Sequence, residues 1–322
     1  MERIGLGLFS YLIGHTPYKE LVALSRLAEE KGFEAVVFPE LVNDALACAE
    51  AVALGTHRIK VGTCIANIWL RHPVLTAATA VTIDELSDGR MILGLGISHR
   101  PLMETLGVTM EAPRQYLREY VGRVRQAWSG HLPGLPTQPR PAKHPIPIYL
   151  AAVSLQTAEL GGEIADGLML VFAVRERLAR VRQAVTRGAE KAGRNPQSID
   201  IAMGFPTFLS DDMGAARQAA RTCLTFYAVL PFYNRLLRNS GFVAEADGVT
   251  QAMSRGDQQG AAACISDRML DALLPIGPAE RCRETIAAFS AAGIALPIVM
   301  PYPIAEDYSH AVRRTLDAFA PR

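Results

Sequence analysis

KVGTCIANIWLRHPVLTAATAVTIDELSDGRMILGLGIS, residues 60–98, is the stretch that decides the fold. It opens on an apolar run, crosses Arg71-His72-Pro73, continues as PVLTAATAVTIDELS (73–87) and closes on a second apolar run, RMILGLGIS (90–98). Neither run alternates polar with apolar residues, so each reads as a strand covered on both faces, as in a parallel sheet. The segment between them reads as a helix, with Pro73 at its first turn.

The same rhythm extends in both directions. Upstream lie strands at 3–10 and 34–40, with helices at 17–32 and 44–56; the third strand is IKVGTCI (59–65). Downstream come a helix at 112–130, a Pro-rich loop at 131–145, and strands at 146–152, 166–172, 198–210 and 296–303. Helices read at 154–165, 175–187 and 277–294, and residues 212–275 are helical in pattern with no strand signal. Eight strand–helix repeats predict one (β/α)₈ TIM-barrel domain over 1–322, with a helical insertion at about 212–275 before the last strand.

Composition narrows the function. The chain has 322 residues, 49% of them hydrophobic, with 33 Lys+Arg against 32 Asp+Glu. That balance gives no field for nucleic acid. The basic tract RERLARVRQAVTR (175–187) reads as a solvated helix face. Five scattered cysteines form neither a metal pattern nor a disulfide framework. The first residues lack the basic start and cleavage site of a signal peptide, and no window reaches the ~18 apolar residues of a membrane span. The expectation is a cytoplasmic protein acting on a small molecule, with no metal, nucleic-acid or membrane partner.

In such barrels the loops after the strands' C-terminal ends build the site. That rule selects Tyr11 and His15 after strand 1, Glu40 and Asn43 after strand 2, and Cys64, Asn67, Trp69, Arg71 and His72 after strand 3. Strand 4 contributes Ser98, His99, Arg100 and Glu104; strand 5 contributes AAVS (151–154), then Gly161 and Gly162. There is no P-loop, no G-x-G-x-x-G and no G-x-S-x-G elbow. The turn AAVSLQTAELGG suits a phosphate at a helix N-terminus. Equally, its small residues could serve only to pack helix on strand.

Together these segments resemble the bacterial luciferase-like superfamily. The resemblance rests on R-H-P, the Ala-rich helix, ELSDGR and LGLG within 59–98. It is supported by LAEEKGFEAVVFPE (27–40), IYLAAVSLQTAELGGEIADGLML (148–170) and IGPAERCRETIAAFSAAGI (276–294). It covers nearly the whole chain and is weakest over 205–270. Within the superfamily the chain looks most like the branch that uses the deazaflavin coenzyme F420, which includes methylenetetrahydromethanopterin reductase.

The resemblance implies a homodimer that binds F420, or alternatively FMN, at the barrel mouth. It implies a non-prolyl cis peptide at Cys64–Ile65 behind the cofactor ring, Glu40 beside the ring, and Asn67 as a cofactor contact. Gly96, Ile97 and Ser98 would hold the ring's carbonyl side; Ala152, Val153, Ser154, Gly161 and Gly162 would hold the phosphate. Leu41 stands where relatives often carry a ring-contacting histidine. His99 occupies the place of an acidic proton donor and is the candidate proton carrier with Glu40; its other reading is an exposed loop histidine. His15 is a weaker candidate, and His72 reads as a cap or brace. Cys64 has no paired base in a recognisable motif and reads as a small buried hydrophobe rather than a nucleophile. Phe226, Tyr227, Phe232 and Tyr233 in the insertion could line a pocket or a dimer contact, with packing the first reading. The expected activity is hydride transfer between F420 and a small organic substrate. An FMN-dependent monooxygenase and a non-catalytic flavin-binding barrel are the alternatives.

Overall fold

The computed structural model describes residues 3–9, 16–41, 43–134 and 136–321. Eight strands, β1 (Gly5–Gly7), β2 (Ala35–Phe38), β3 (Lys60–Thr63), β4 (Met91–Gly96), β5 (Ile148–Ala151), β6 (Gly167–Val171), β7 (Asp200–Leu209) and β8 (Leu296–Pro301), pair in sequence order, all parallel. β8 pairs with both β1 and β7, with Leu296 opposite Ala202 and Gly5 opposite Ile298, so the sheet closes into a barrel. Each strand is followed by a covering helix: α1 (Tyr18–Glu30), α2 (Ala45–Gly55), α3 (Pro73–Leu86), α4 (Pro113–Trp128), α5 (Leu155–Ile164), α6 (Arg175–Lys191), α7 (Ala279–Ala291) and α8 (Tyr308–Phe319).

The double-sided apolarity of the strands now has two partners. Inward-facing Val37, Ile92, Tyr149, Met169, Leu296 and Ile298 fill the barrel, while Val36, Val61, Leu93, Leu150 and Val299 pack outward among the helices. Between β7 and α7 lies the insertion, which is five helices: Met213–Ala228, Pro231–Arg238, Val243–Ser254, Gln258–Ala263 and Asp267–Leu273. It leaves the barrel beyond the end of β7 and returns through a two-residue strand, Ile276–Gly277, paired with Phe208–Leu209. Its core includes Phe208, Leu224, Leu237, Phe242 and Leu270.

The N-terminal ends of the strands form a polar floor. Arg3 forks onto Glu34 at 2.7 and 2.9 Å and reaches Asp200, which also accepts the Tyr149 hydroxyl at 2.9 Å. Arg90 of the ELSDGR motif donates all five of its side-chain N–H groups: to Ser87 O, Thr56 Oγ1, Ile59 O, Ala53 O and Thr56 O, at 2.6–3.0 Å. That arginine ties the C-terminus of α2 to the start of β4.

Candidate functional site

β3 stops at Thr63, the Cys64–Ile65 peptide is cis, and pairing with β4 resumes at Ala66–Asn67. The bend is laced to strand 2: Cys64 N donates to Phe38 O at 2.7 Å and Glu40 N to Ile65 O at 3.2 Å. Behind it, the Trp69 indole donates to Ile97 O at 3.1 Å and stacks on Tyr116 at 4.4 Å. Arg71 pairs with Asp44, which caps α2, and His72 caps α3 by accepting from Val74 N at 3.3 Å. The Arg-His-Pro triplet is thus a brace, as its sequence position suggested.

The strand ends enclose a cavity of about 850 Å³ at the C-terminal mouth. Glu40, Cys64, Ile65, Gly96, Ile97, Ser98, His99, Val153 and Ser154 line it. Gly96 lets Ile65 in: a Cβ there would lie 2.6 Å from two Ile65 side-chain atoms. Ser98 (φ 56°) and Phe172 (φ 51°), at the ends of β4 and β6, hold left-handed backbone that costs non-glycine residues energy. Both sit where the chain turns into the cavity wall or the aromatic cluster behind it.

Two ionisable groups in this wall have unused valences. Glu40 Oε1 accepts from Asn67 N at 3.0 Å, while its buried Oε2 makes no hydrogen bond within 3.5 Å among the described residues. Burial raises its carboxyl above the ordinary value and Asp44 adds to the rise, against the Asn67 and Ala45 backbone amides and Arg71. His99 Nδ1 is buried without a partner among the described residues, and burial lowers the imidazole below its usual value. Burial also pushes the Cys64 thiol up to about 12, which keeps the sulfur protonated and unreactive.

At the other end of the cavity the N-terminus of α5 forms the wall. Ser154 Oγ caps it by accepting from Thr157 N at 3.1 Å. Beside it Arg177, on α6, is 8% exposed and donates to Val153 O at 3.2 Å. Burial, then the like charge of Arg180, lowers its affinity for the proton. Exposed Arg114, Arg180 and Arg235 complete the rim. None of these four arginines forms an ion pair among the described residues, and Glu40 is the one carboxylate in the described wall. The tract 175–187 is therefore not simply a solvated face: its first turns supply cations to the cavity.

Other expectations move. Asn67 is 2% exposed and lies behind the wall, its amide spent on Trp69 N at 3.0 Å and Met103 Sδ at 3.3 Å. Ala152 is buried beside the cavity without lining it. Gly161 and Gly162 are packing residues: a Cβ at Gly161 would meet Leu168 Cδ2 at 2.2 Å, and one at Gly162 would meet Val185 O at 2.2 Å. Tyr11 and His15 lie outside the described residues. Phe226, Tyr227, Phe232 and Tyr233 do more than pack, because all four line the cavity. Among the described residues no group of three His, Cys, Asp or Glu side chains is placed to hold a metal, and no helix is long and apolar enough to cross a membrane.

A parallel barrel whose mouth joins a bent third strand to a cation-flanked helix N-terminus defines a cofactor-binding oxidoreductase type of site. The chain belongs to the luciferase-like monooxygenase family, whose model matches residues 7–296. It is similar to the 5,10-methylenetetrahydromethanopterin reductase of Methanolobus tindarius, 27% identical over 310 residues, covering 92% of this chain and 94% of the relative. The structure resembles the coenzyme F420-dependent tetrahydromethanopterin reductase of Methanopyrus kandleri, with a TM-score of 0.80, 22% identity, and 99% and 98% of the two chains covered. It also resembles the FMN-bound oxygenating constituent of 3,6-diketocamphane monooxygenase from Pseudomonas putida, with a TM-score of 0.70, 16% identity, and 99% and 97% covered.

Proposed function

We propose that the chain is a coenzyme F420-dependent oxidoreductase that moves hydride between the deazaflavin and a small organic substrate. The observation that carries this reading is surplus positive charge. Arg177 sits buried beside the α5 N-terminus, paired with no carboxylate among the described residues, and Arg114, Arg180 and Arg235 continue the positive charge outward along the rim. FMN ends at its phosphate, which Arg177 and the helix terminus would satisfy. Coenzyme F420 continues past its phosphate into an anionic tail, which matches the remaining three cations.

The residues fit such a group. Cys64–Ile65 would back the ring, Gly96–Ser98 would flank it, and Ser154–Thr157 with Arg177 would hold the phosphate. The bound deazaflavin supplies a two-electron hydride carrier. The chain's own part is orientation, exclusion of water and proton handling. In alcohol oxidation neutral His99 accepts the hydroxyl proton at Nε2, and in carbonyl reduction it returns it. Glu40, whose Oε1 accepts from the Asn67 backbone N–H, ties strand 2 to the end of strand 3, and would sit beside the ring when the coenzyme is bound.

Titration separates the cofactors. F420 should quench with micromolar affinity while FMN binds far more weakly, and tight FMN binding without F420 binding would overturn the reading. Raising ionic strength from about 0.05 to about 0.5 M should weaken F420 binding several-fold, because the rim arginines are screened.

The homodimer is part of the proposal. Exposed Ala47, Ala51 and Leu54 on α2, and Leu75, Ala78, Thr82 and Leu86 on α3, form two adjacent uncharged stripes. Leu54 and Leu75 are 64% and 54% exposed. Such a face suits an isologous contact with a second copy. The five free cysteines support a reducing cytoplasm.

A further inference from the structure

We infer that Tyr233, together with His99, grips the reacting oxygen or nitrogen of an otherwise neutral and apolar carbonyl, alcohol or imine substrate. The inference rests on the F420 reading above and names the substrate face of that site. Tyr233 lies on the Pro231–Arg238 helix of the insertion, its ring 5.2 Å from His99, 5.1 Å from Tyr227 and 5.6 Å from Phe172. Only 8% of the residue is exposed, yet its hydroxyl forms no hydrogen bond among the described residues. His99 is in the same condition at both ring nitrogens, with Nδ1 fully buried.

A buried polar atom left without a partner costs about 1–3 kcal/mol, and His99 Nδ1 is such an atom. Beside it the unpaired Tyr233 hydroxyl belongs to a residue that lines the cavity, where a ligand can reach it. Tyr233 also stands near enough to Cys64 for the thiol to bias its ionisation, which sets it across from the bend of the third strand. Both residues line the same cavity. Next to Tyr233 this wall is mainly apolar, with Phe226, Leu230, Phe232 and Leu236, and its one amide, Asn239, is exposed at the end of the helix. The cations lie elsewhere, with Arg177 and Arg180 on α6 and Arg114 at the start of α4. Arg235 shares the Tyr233 helix but is exposed at the rim.

The chemistry balances. As an alcohol is oxidised, its carbon loses hydride to the oxidised deazaflavin, its O–H bond breaks, and the proton passes to His99. The new carbonyl oxygen keeps the hydrogen bond donated by Tyr233. In reverse, hydride adds to carbon, the C=O π pair moves to oxygen, and His99 returns the proton.

The test uses F420-loaded enzyme with cyclohexanol and cyclohexanone as neutral probes and 4-oxocyclohexanecarboxylate as the charged counterpart. F420 affinity is measured first, by fluorescence titration, on the wild type and on Tyr233→Phe, which keeps the ring and its packing. Equal cofactor affinity is expected in both. Absence of F420 binding in the wild type counts against the cofactor reading alone. The variant should lose roughly tenfold to a hundredfold in kcat/KM for the neutral probes. The infrared carbonyl stretch of bound cyclohexanone should be lowered in the wild type and close to its solution value in the variant. Unchanged turnover and an unchanged stretch in Tyr233→Phe would overturn the role of Tyr233. Preference for the carboxylated ketone, or failure to bind or turn over either neutral probe, would overturn the substrate class.

Discussion

His99 carries the clearest pH signature of any single residue. Burial holds its imidazole below the ordinary 6.5, so the ring is neutral at pH 7 and able to accept a proton. Its folded value is depressed, so acceptance is complete above 6.5 and is lost only as pH falls through that lower value. The acid limb of kcat/KM for alcohol oxidation should therefore lie below 6.5. His99→Gln should remove the limb and cost roughly 10²–10⁴ in rate. A limb that survives the substitution would take His99 out of proton transfer. Cys64 makes the opposite case: with its thiol near 12, Cys64→Ala should leave cofactor affinity and turnover within a few-fold, as paired assays would show. Strand-end residues such as Glu40, Cys64 and His99 were legible because parallel topology says which end of each strand faces the mouth. Asn67 was not, since a two-residue strand gives no clue which side its amide faces. Arg177 was hidden because cations at helical spacing look the same whether they meet water or a ligand. Its one available signal was its place in the first turn of α6, just past the end of β6.

Helices α5 and α6 meet through reciprocal notches. A Cβ at Gly162 would lie 2.2 Å from Val185 O, and one at Gly188 would lie 1.9 Å from Glu159 O. These backbones touch, so Gly188→Ala must push the helices apart at a cost of about 1–3 kcal/mol. The same shift separates Ser154 from Arg177, so F420 titration should weaken alongside the urea midpoint. Arg90→Ala supplies the contrast. It strips five hydrogen bonds from the barrel floor and should lower stability by about 2–4 kcal/mol while leaving cofactor affinity intact. Weakened F420 binding in that variant would contradict the separation of floor from mouth. At this scale the barrel strands were readable from their unbroken apolarity. The insertion blurred into one helical run, although Pro231, Gly241 (φ 89°) and Gly256 (φ 73°) mark its real breaks. Those punctuators were present, but without strands between them the helical period seemed to continue.

Across the whole molecule, stability and chemistry occupy opposite ends of the barrel. ELSDGR, part of the family resemblance, belongs to the floor, so recognising it reveals the architecture and says little about the substrate. The floor also sets acid tolerance. The Arg3 fork holds the Glu34 carboxyl to about 2, against burial and with help from Lys60. A depressed carboxylate contributes its full stability above the unfolded value of 4.5 and loses it as pH falls towards 2. Glu34→Gln should flatten the unfolding midpoint over that window, measured from pH 5 to pH 2. The α2–α3 face makes a separate claim: Leu75→Glu should convert a dimer to a monomer by light scattering without unfolding it. At the mouth, the aromatic wall has a different origin from the strand ends it faces. Every side chain it contributes between residues 226 and 239 comes from one excursion, whose two ends pair at Phe208–Leu209 and Ile276–Gly277. Its entry and exit are therefore only ~5 Å apart. The excursion is therefore a cassette: its side chains can be exchanged, and the pocket's aromatic wall with them, without touching the barrel strands opposite.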